Sequence, residues 1–260
     1  MPDAPLDAMP QATPAALRLA RVRERIVAAC VRAGRDPASV TLVAVSKNHP
    51  AEAVRALALA GQRLFGESYV QEALPKVDAL ADMENPAGMP GASDRPPKGL
   101  CWHFIGRLQK NKVKYLDGRF ALIHTVDSLD LARMLHKFSV ASGRCQDILL
   151  QVNLAREAQK SGCAPEDADA VAQGILELPG LCLRGLMLMP PWQEDPEPSR
   201  PWFAGLRELR DRLRPSLGLP LPELSMGMSH DLEQAVEEGA TLVRVGTDLF
   251  GERIAARQGA

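Results

Sequence analysis

The chain lacks features that mark several common classes of protein. Its 31 lysines and arginines are balanced by 32 aspartates and glutamates, which leaves a formal charge of −1 over 260 residues. Nucleic acids and acidic membranes select strongly basic surfaces, so this balance argues against both as main partners. No stretch approaches the roughly 18 uninterrupted apolar residues that a membrane-spanning helix needs. We therefore expect a protein without a membrane segment.

Cysteine is scarce and scattered. The five cysteines are Cys30, Cys101, Cys145, Cys163 and Cys182. Their odd number and the absence of any C-x-x-C pair favour buried thiols in a reducing cytoplasm over disulfides or a zinc site. The histidines also lack metal-ligand spacing, so we predict no metal. The first residues, MPDAPLDAMPQATP, have neither the basic start nor the apolar stretch of a secretory signal, and we expect a cytoplasmic protein.

The composition that remains is that of an ordinary globular protein, 46% apolar and 24% charged. At this length one large core can form without cross-links. Residues 1–13 are predicted to be a flexible lead, and residues 14–260 a single domain. Within that domain residues 81–100 are rich in proline and glycine, which predicts a surface insertion.

Short apolar runs alternate with amphipathic segments along most of the chain. The runs are nearly continuous in apolar residues, as in parallel strands that are covered on both faces. The eight predicted strands are Thr41–Val45, Arg63–Phe65, Cys101–Ile105, Ala121–Thr125, Asp147–Val152, Leu181–Met187, Glu223–Met226 and Thr241–Val245.

Helical patterns precede and separate these strands. They are predicted at about residues 14–34, 50–60, 69–80, 111–116, 129–141, 165–178, 201–213 and 230–238. Eight strands alternating with helices predict a (β/α)8 TIM barrel with an extra N-terminal helix. A doubly wound open sheet is the main alternative, although no G-x-G-x-x-G follows a strand.

Chemistry in a parallel barrel lies at the carboxyl ends of the strands. Lys47 directly follows the apolar run LVAV of the first predicted strand. Burial of an ammonium group lowers its pKa and yields a nucleophilic amine, which suits a Schiff base with an aldehyde or ketone. The alternative is a lysine whose charged head reaches solvent at the end of the strand.

The last two predicted strands are followed by glycine and hydroxyl residues. SMGMSHDLEQAV contains Ser229, and VRVGTDLFGER contains Gly246 and Thr247. Glycine lets backbone N–H groups approach an anion, and hydroxyls add donors, so the two loops predict a phosphate cradle. As the alternative, Ser229 and Thr247 are simple helix N-caps.

Three polar residues are predicted inside strands. Arg244 lies within the apolar run TLVRVG, where its guanidinium needs either a structural ion pair or a functional acceptor such as a cofactor heteroatom. His103 and His124 are predicted to be hydrogen-bonded core histidines rather than ligands.

Taken together, these stretches resemble the pyridoxal phosphate homeostasis protein family. The resemblance runs in family order from about residue 40 to residue 253, through LVAVSKNHP, FGESYVQEALPKV, WHFIGRLQKNKV, KSG, LRGLM and SMGMSHDLEQAVEEGATLVRVGTDLFGER. It implies a fold-type III barrel, similar to the N-terminal domain of alanine racemase, that binds pyridoxal phosphate.

The resemblance also implies roles for individual residues. Lys47 matches the lysine that forms the Schiff base, and Arg244 matches the arginine that faces the pyridine nitrogen. Ser229, Gly246 and Thr247 match the phosphate-binding positions. An arginine at the ring nitrogen keeps that nitrogen unprotonated and makes the ring a poorer electron sink.

Ser68 is a departure from the family pattern. The family usually has asparagine in FGENYVQE, near the cofactor ring, whereas this chain has FGESYVQE. A serine is shorter and offers a hydroxyl in place of an amide. We still expect Ser68 to lie at the cofactor.

Two classes of function follow from the resemblance. The first is a carrier that buffers or delivers pyridoxal phosphate to client enzymes and balances amino-acid and vitamin B6 pools. The second is an amino-acid racemase, which needs a further acid/base that related racemases hold on an additional β-domain. This chain ends shortly after the eighth predicted strand, so we expect a monomeric carrier rather than an enzyme. A Schiff-base aldolase acting on a sugar phosphate is a weaker third hypothesis.

Overall fold

An amphipathic helix begins the part of the chain that the structure describes. The structure is a computed structural model, and it describes residues 12–83, 99–116, 118–157 and 159–251. Helix α1, Pro14–Arg32, starts where the Thr13 hydroxyl accepts a hydrogen bond from the backbone N–H of Ala16 at 3.2 Å. Apolar side chains three and four residues apart, among them Leu19, Val22 and Ile26, form its buried face.

Eight parallel strands follow and close into a barrel in sequence order. The strands are β1 Thr41–Val45, β2 Leu64–Glu67, β3 Cys101–Phe104, β4 Leu122–Val126, β5 Gln146–Gln151, β6 Leu181–Met187, β7 Glu223–Met228 and β8 Leu242–Val245. The last strand pairs with the first, with Thr41 opposite Leu242 and Ala44 opposite Val245. The predicted barrel is therefore confirmed, and the doubly wound open sheet is wrong.

Helices cover the outside of the barrel. They are α2 Ala51–Leu59, α3 Val70–Ala79, α4 Leu129–Ala141, α5 Ala168–Leu176, α6 Arg200–Leu217, α7 Leu232–Glu237 and α8 Thr247–Phe250. The predicted helix at residues 111–116 is a 3-10 segment, Lys110–Tyr115. In the described part of the chain, no helix combines the length and the apolarity needed to cross a membrane.

The barrel has an outer and an inner apolar layer. The larger core lies between the strands and the surrounding helices. A smaller cluster takes one residue from each of five strands, and Leu64 packs against it. Its members are Val43, Leu122, Leu149, Met187 and Leu242. Because side chains alternate along a strand, residues two positions further on face the same interior. This register places His124 and Arg244 inside the barrel, nearer the carboxyl ends of the strands.

The prediction of five thiols is wrong for two cysteines. Cys145 and Cys182 form a disulfide with their Cα atoms 6.1 Å apart, whereas Cys30, Cys101 and Cys163 are buried free thiols. The two bonded residues are 37 positions apart, but β5 and β6 are neighbours, with Asp147 opposite Cys182. The pairing depends on strand adjacency, which cysteine spacing alone does not reveal.

Two predicted segments lie largely outside the described residues. Residues 1–11 of the expected lead and residues 84–98 of the expected insertion are not described. The insertion begins with a 3-10 turn, Ala81–Met83, and Leu100 at its end is buried. The division into a lead and one domain over residues 14–260 stays a prediction.

Candidate functional site

The predicted site residues follow four different strands. Because the strands of a parallel barrel share one direction, their carboxyl ends meet at one rim. Lys47 lies two positions after β1, and Ser68 directly follows β2. Ser229 directly follows β7, and Gly246 directly follows β8 and precedes Thr247, the first residue of α8. The topology thus brings these residues to the same end of the barrel, although they are up to 200 positions apart in sequence.

Two contacts bring the turn after β1 next to the loop after β8. A Cβ atom built on Gly246 would lie 3.4 Å from the carbonyl oxygen of Val45, so the glycine backbone lies against the end of β1. The rings of His49 and Phe250 stack with their centroids 4.8 Å apart. Lys47 lies between Val45 and His49 in sequence, so its turn borders the start of α8.

A buried ionic cluster supports the turn that carries Lys47. The Nζ atom of Lys76 lies 2.6 Å from Oε1 of Glu67, 2.9 Å from Oε1 of Glu72 and 2.8 Å from the carbonyl oxygen of Ser46. The Ser46 hydroxyl donates to the same Glu67 oxygen at 2.7 Å. We call these four residues the Lys76 cluster. Glu72 also accepts the backbone N–H of Asn48 at 2.6 Å, so the cluster holds both sides of Lys47.

Most of the Lys76 cluster is shielded from solvent, although the side chain of Glu72 is 28% exposed. Glu67 is fully buried, and the side chain of Lys76 is 5% exposed. Burial raises the pKa of Glu67, while the charge and the hydrogen bond of Lys76 oppose that rise. Because an uncompensated buried charge is very costly, this pair holds β2, α3 and the β1 turn together.

A second buried polar chain runs across the inside of the barrel. Arg244 donates to the Ser225 hydroxyl at 2.6 Å and to the carbonyl oxygen of Leu188 at 3.0 Å. Nδ1 of His124 lies 2.8 Å from Ser225 Oγ, and its Nε2 lies 2.9 Å from Nδ1 of His103. We call Arg244, Ser225, His124 and His103 the Arg244 cluster. The prediction of hydrogen-bonded core histidines is confirmed.

The Arg244 cluster contains no carboxylate. Burial lowers the pKa of Arg244 to about 10, so the guanidinium stays charged at neutral pH. Burial also lowers the pKa of His103 to about 3, and that of His124 well below its ordinary value, so both imidazoles are neutral. Among the described residues Arg244 forms no ion pair, although the charge of Asp231 opposes the effect of burial on its pKa. The functional role of Arg244 stays a prediction.

The loop after β7 is shaped by an aspartate and a glycine. The carboxylate of Asp231 accepts the backbone N–H of Met228 at 2.6 Å and closes a turn around Ser229 and His230. Gly227 has φ of 88°, and a Cβ there would lie 2.4 Å from the Cβ of Ala235. Only glycine allows this backbone conformation with α7 so close.

Neither predicted phosphate-binding hydroxyl serves as a helix N-cap. The N-cap of α7 is Asp231, and the N-cap of α8 is Gly246. The structural alternative for Ser229 and Thr247 is therefore wrong. At Ser68 the backbone lies directly against Gly106, because a Cβ on Gly106 would lie only 1.9 Å from the Ser68 carbonyl oxygen.

Sequence reasoning missed the residues that support the site. These are Ser46, Glu67, Glu72, Lys76, Ser225, Asp231 and, on α1, Arg25. A helical spacing of four between Glu72 and Lys76 is a readable signal for an ion pair. Most of the other contacts join different elements of the barrel, such as those of Ser225 with His124 and of Arg25 with Ser229.

Comparison with known proteins identifies the class to which this barrel belongs. A family model described as alanine racemase, N-terminal domain, matches residues 17–254, and the chain belongs to that family. An alanine racemase of Clostridium difficile shares the fold with a TM-score of 0.63 at 12% identity, covering 90% of this chain and 60% of the racemase.

More similar relatives define the particular group. The pyridoxal phosphate homeostasis protein of Aquifex aeolicus is 47% identical over 91% of this chain and 97% of its own length. That of Escherichia coli is 38% identical over 90% and 95%. PipY of Synechococcus elongatus, solved with pyridoxal phosphate bound, has a TM-score of 0.77 at 39% identity, covering 91% of this chain and all of PipY. The chain is thus a member of the pyridoxal phosphate homeostasis protein family.

Proposed function

We propose that this protein binds pyridoxal phosphate and takes part in its intracellular homeostasis by buffering or delivering it. The observation that carries the proposal is the set of groups at one end of the barrel: an amine on Lys47, a buried guanidinium on Arg244, and two loops with hydroxyls. These groups match the aldehyde, the ring nitrogen and the phosphate of the cofactor respectively. The relative with the same cofactor bound supports the assignment.

Lys47 would hold the cofactor as a Schiff base. When bound, pyridoxal phosphate supplies an aldehyde that captures amines reversibly and a ring that withdraws electrons. The turn that carries Lys47 is fixed on both sides by the Lys76 cluster. The backbone on either side of Lys47 is thus held in place, and Lys47 follows β1 at the rim of the barrel.

The phosphate would lie between the loops after β7 and β8. Ser229 and Thr247 offer hydroxyl donors, and the first N–H groups of the α8 turn have no acceptor within that turn. Gly246 keeps the backbone accessible beside β1. Ser68, at the end of β2, would contact the ring through a shorter side chain than an asparagine provides.

Arg244 favours the carrier over the racemase. Its guanidinium would donate a hydrogen bond to the ring nitrogen and, with a pKa of about 10, would not hand over a proton there. A ring that stays unprotonated withdraws fewer electrons from a bound amino acid. Tyr69, the tyrosine nearest in sequence to these residues, is 53% exposed at the start of α3, where water competes with any proton transfer.

The decisive experiment is an absorbance titration with pyridoxal phosphate, followed by borohydride reduction and peptide mass spectrometry. We expect a visible band in the wild type and a reduced adduct on Lys47. Lys47→Ala should lose both, while Lys137→Ala, on the exposed face of α4, should keep both. A wild type that stays colourless with added cofactor contradicts the proposal.

Exchange chemistry separates the carrier from the racemase. The loaded protein should neither interconvert D- and L-alanine nor exchange their α-hydrogen in deuterated water, as followed by NMR. Turnover at a steady rate would make the protein an enzyme. Transfer of the cofactor to an apo-enzyme that depends on it, and a monomer by light scattering, are the further expectations of the carrier.

A further inference from the structure

One arginine of the first helix contacts both loops at the end of the barrel. Arg25 of α1 donates to the two carboxylate oxygens of Glu233 at 2.7 and 2.8 Å and to the carbonyl oxygen of Ser229 at 2.9 Å. It also forms a short ion pair with Asp248. Glu233 belongs to the first turn of α7 and Asp248 to the first turn of α8. A single side chain therefore ties α1 to the segments that follow β7 and β8.

The bond to Ser229 sets the direction of the next backbone donor. In a trans peptide the C=O and the following N–H point in opposite directions. Because Arg25 draws the Ser229 carbonyl towards α1, the N–H of His230 points away from α1. The second contact of Arg25 is an ion pair with the side chain of Asp248, the residue after Thr247, and it anchors the loop after β8 to α1.

The positive charge of Arg25 also offsets the negative charges of the two carboxylates that it contacts. Glu233 and Asp248 would repel a bound phosphate, and both are only partly exposed, at 27% and 33%. The hydrogen bond with Glu233, which outweighs the opposing effect of burial, raises the pKa of Arg25. The guanidinium thus stays charged and offsets the two carboxylates.

We infer that Arg25 is the positioning residue for the phosphate-binding loops, and that it fixes Ser229 and Thr247 without touching the ligand. This inference rests on the proposed function, because it assumes that the two loops take the phosphate of pyridoxal phosphate. Its specific consequence is that Arg25 matters for ligands that carry a phosphate and little for those that do not.

The test compares pyridoxal phosphate with pyridoxal, which lacks the phosphate. Affinities for both are measured by absorbance titration of the wild type, Arg25→Ala, Arg25→Lys and the control Arg32→Ala. Arg32 lies on the same helix and pairs with Glu237 of α7 at 2.7 Å, but it does not reach either loop. Thermal unfolding and circular dichroism confirm that each variant is folded.

Arg25→Ala should weaken pyridoxal phosphate binding about 10- to 100-fold, as loss of a supporting residue commonly does, and change pyridoxal binding less than about 3-fold. Arg25→Lys should resemble Arg25→Ala, because an ammonium cannot reach three acceptors as a guanidinium fork does. Arg32→Ala should match the wild type. If Arg25→Ala does not fold, Arg25→Lys provides the same comparison.

Equal losses for the two ligands, or a wild-type affinity in Arg25→Lys, would overturn the inference. If the wild type binds neither compound, the proposed function fails, and the role of Arg25 is then measured with inorganic phosphate. Phosphate should raise the unfolding temperature of the wild type and of Arg32→Ala but not that of Arg25→Ala. Equal protection of all three would refute the positioning role.

Discussion

The molecule buries two cations in opposite ways. Lys76, 5% exposed, lies outside the barrel wall and contacts two carboxylates and a carbonyl. Arg244, 4% exposed, lies inside the wall and contacts a hydroxyl and a carbonyl. The lysine is neutralised by direct ion pairs, whereas the arginine is held by neutral groups and is influenced by the carboxylate of Asp231 without contacting it. A buried charge without a direct ion pair is costly, and under the proposed function an incoming group would use it.

The difference also separates structural support from recognition. Removal of a carboxylate from the Lys76 cluster leaves a charge stranded, so that cluster should control stability. Removal of a neutral partner from the Arg244 cluster takes away a hydrogen bond but does not change the number of buried charges. The three predictions below test this contrast.

The largest effect is expected for Glu67→Ala. The substitution leaves Lys76 buried with only the partly exposed Glu72, and breaking a buried pair costs about 3–5 kcal/mol of unfolding free energy. Urea unfolding followed by circular dichroism measures the loss. As a control, Asp130→Ala removes the exposed pair with Lys110 and should leave stability unchanged. If both variants unfold at the wild-type urea concentration, the structural role of the Lys76 cluster is wrong.

Acidification is expected to act through the Arg244 cluster. His103 and His124 are neutral in the folded protein because their pKa values are lowered, whereas an unfolded histidine titrates near 6.5. Protons therefore bind the unfolded chain preferentially, and stability falls as the pH drops below about 6.5. Each histidine contributes a slope of about 1.4 kcal/mol per pH unit below that value.

The variant His103→Gln isolates this contribution. It removes one titrating group and keeps an amide that can bond to His124. The slope of unfolding free energy against pH, between pH 6.5 and 5, should therefore decrease by about the contribution of one histidine. Urea unfolding at several pH values gives both slopes. An unchanged slope would show that the buried histidines do not govern the acid sensitivity.

The smallest effect is expected for the difference in unfolding free energy between two variants, Ser225→Ala and Ser46→Ala. Ser225→Ala leaves an unsatisfied donor on Arg244 and an unsatisfied nitrogen on His124, at about 1–3 kcal/mol. Ser46→Ala leaves the Glu67 oxygen bonded to Lys76, so its cost should be smaller. Paired urea unfolding of the two variants measures the difference. A larger loss in Ser46→Ala would contradict the expectation that the bond from Lys76 keeps the Glu67 oxygen satisfied.

The barrel could be predicted from sequence because its strands carry a local signal. β1 and β6 were predicted with their observed bounds, and α4 likewise, since each is a run with a clear period or continuous apolarity. The predicted positions of Lys47, Ser229, Gly246 and Thr247 follow from strand ends. That of Arg244 follows from a charge inside an apolar strand, and that of Ser68 from the family resemblance. They stay predictions with respect to the cofactor, but the rim on which they lie is determined by the topology.

The remaining features depend on contacts between distant segments. Arg25 and Ser229 are 204 positions apart, and His124 and Ser225 are 101 apart. No local pattern distinguishes Arg25 from the other arginines of α1, and Ser225 looks like any strand serine. The Cys145–Cys182 bond was missed for the same reason, because it requires knowledge that β5 and β6 are adjacent and in register.

The pairing of the first strand with the last has a consequence for folding. Contacts between β1 and β8 join residues about 200 positions apart, so barrel closure carries a high loop-closure entropy and belongs to the slow, non-local part of folding. Lys47 and Thr247 come together only when this seam has formed. If this rim holds the ligand as we propose, a chain on the ribosome that has not yet released β8 lacks part of the site. Ligand binding would then report that the whole barrel has closed.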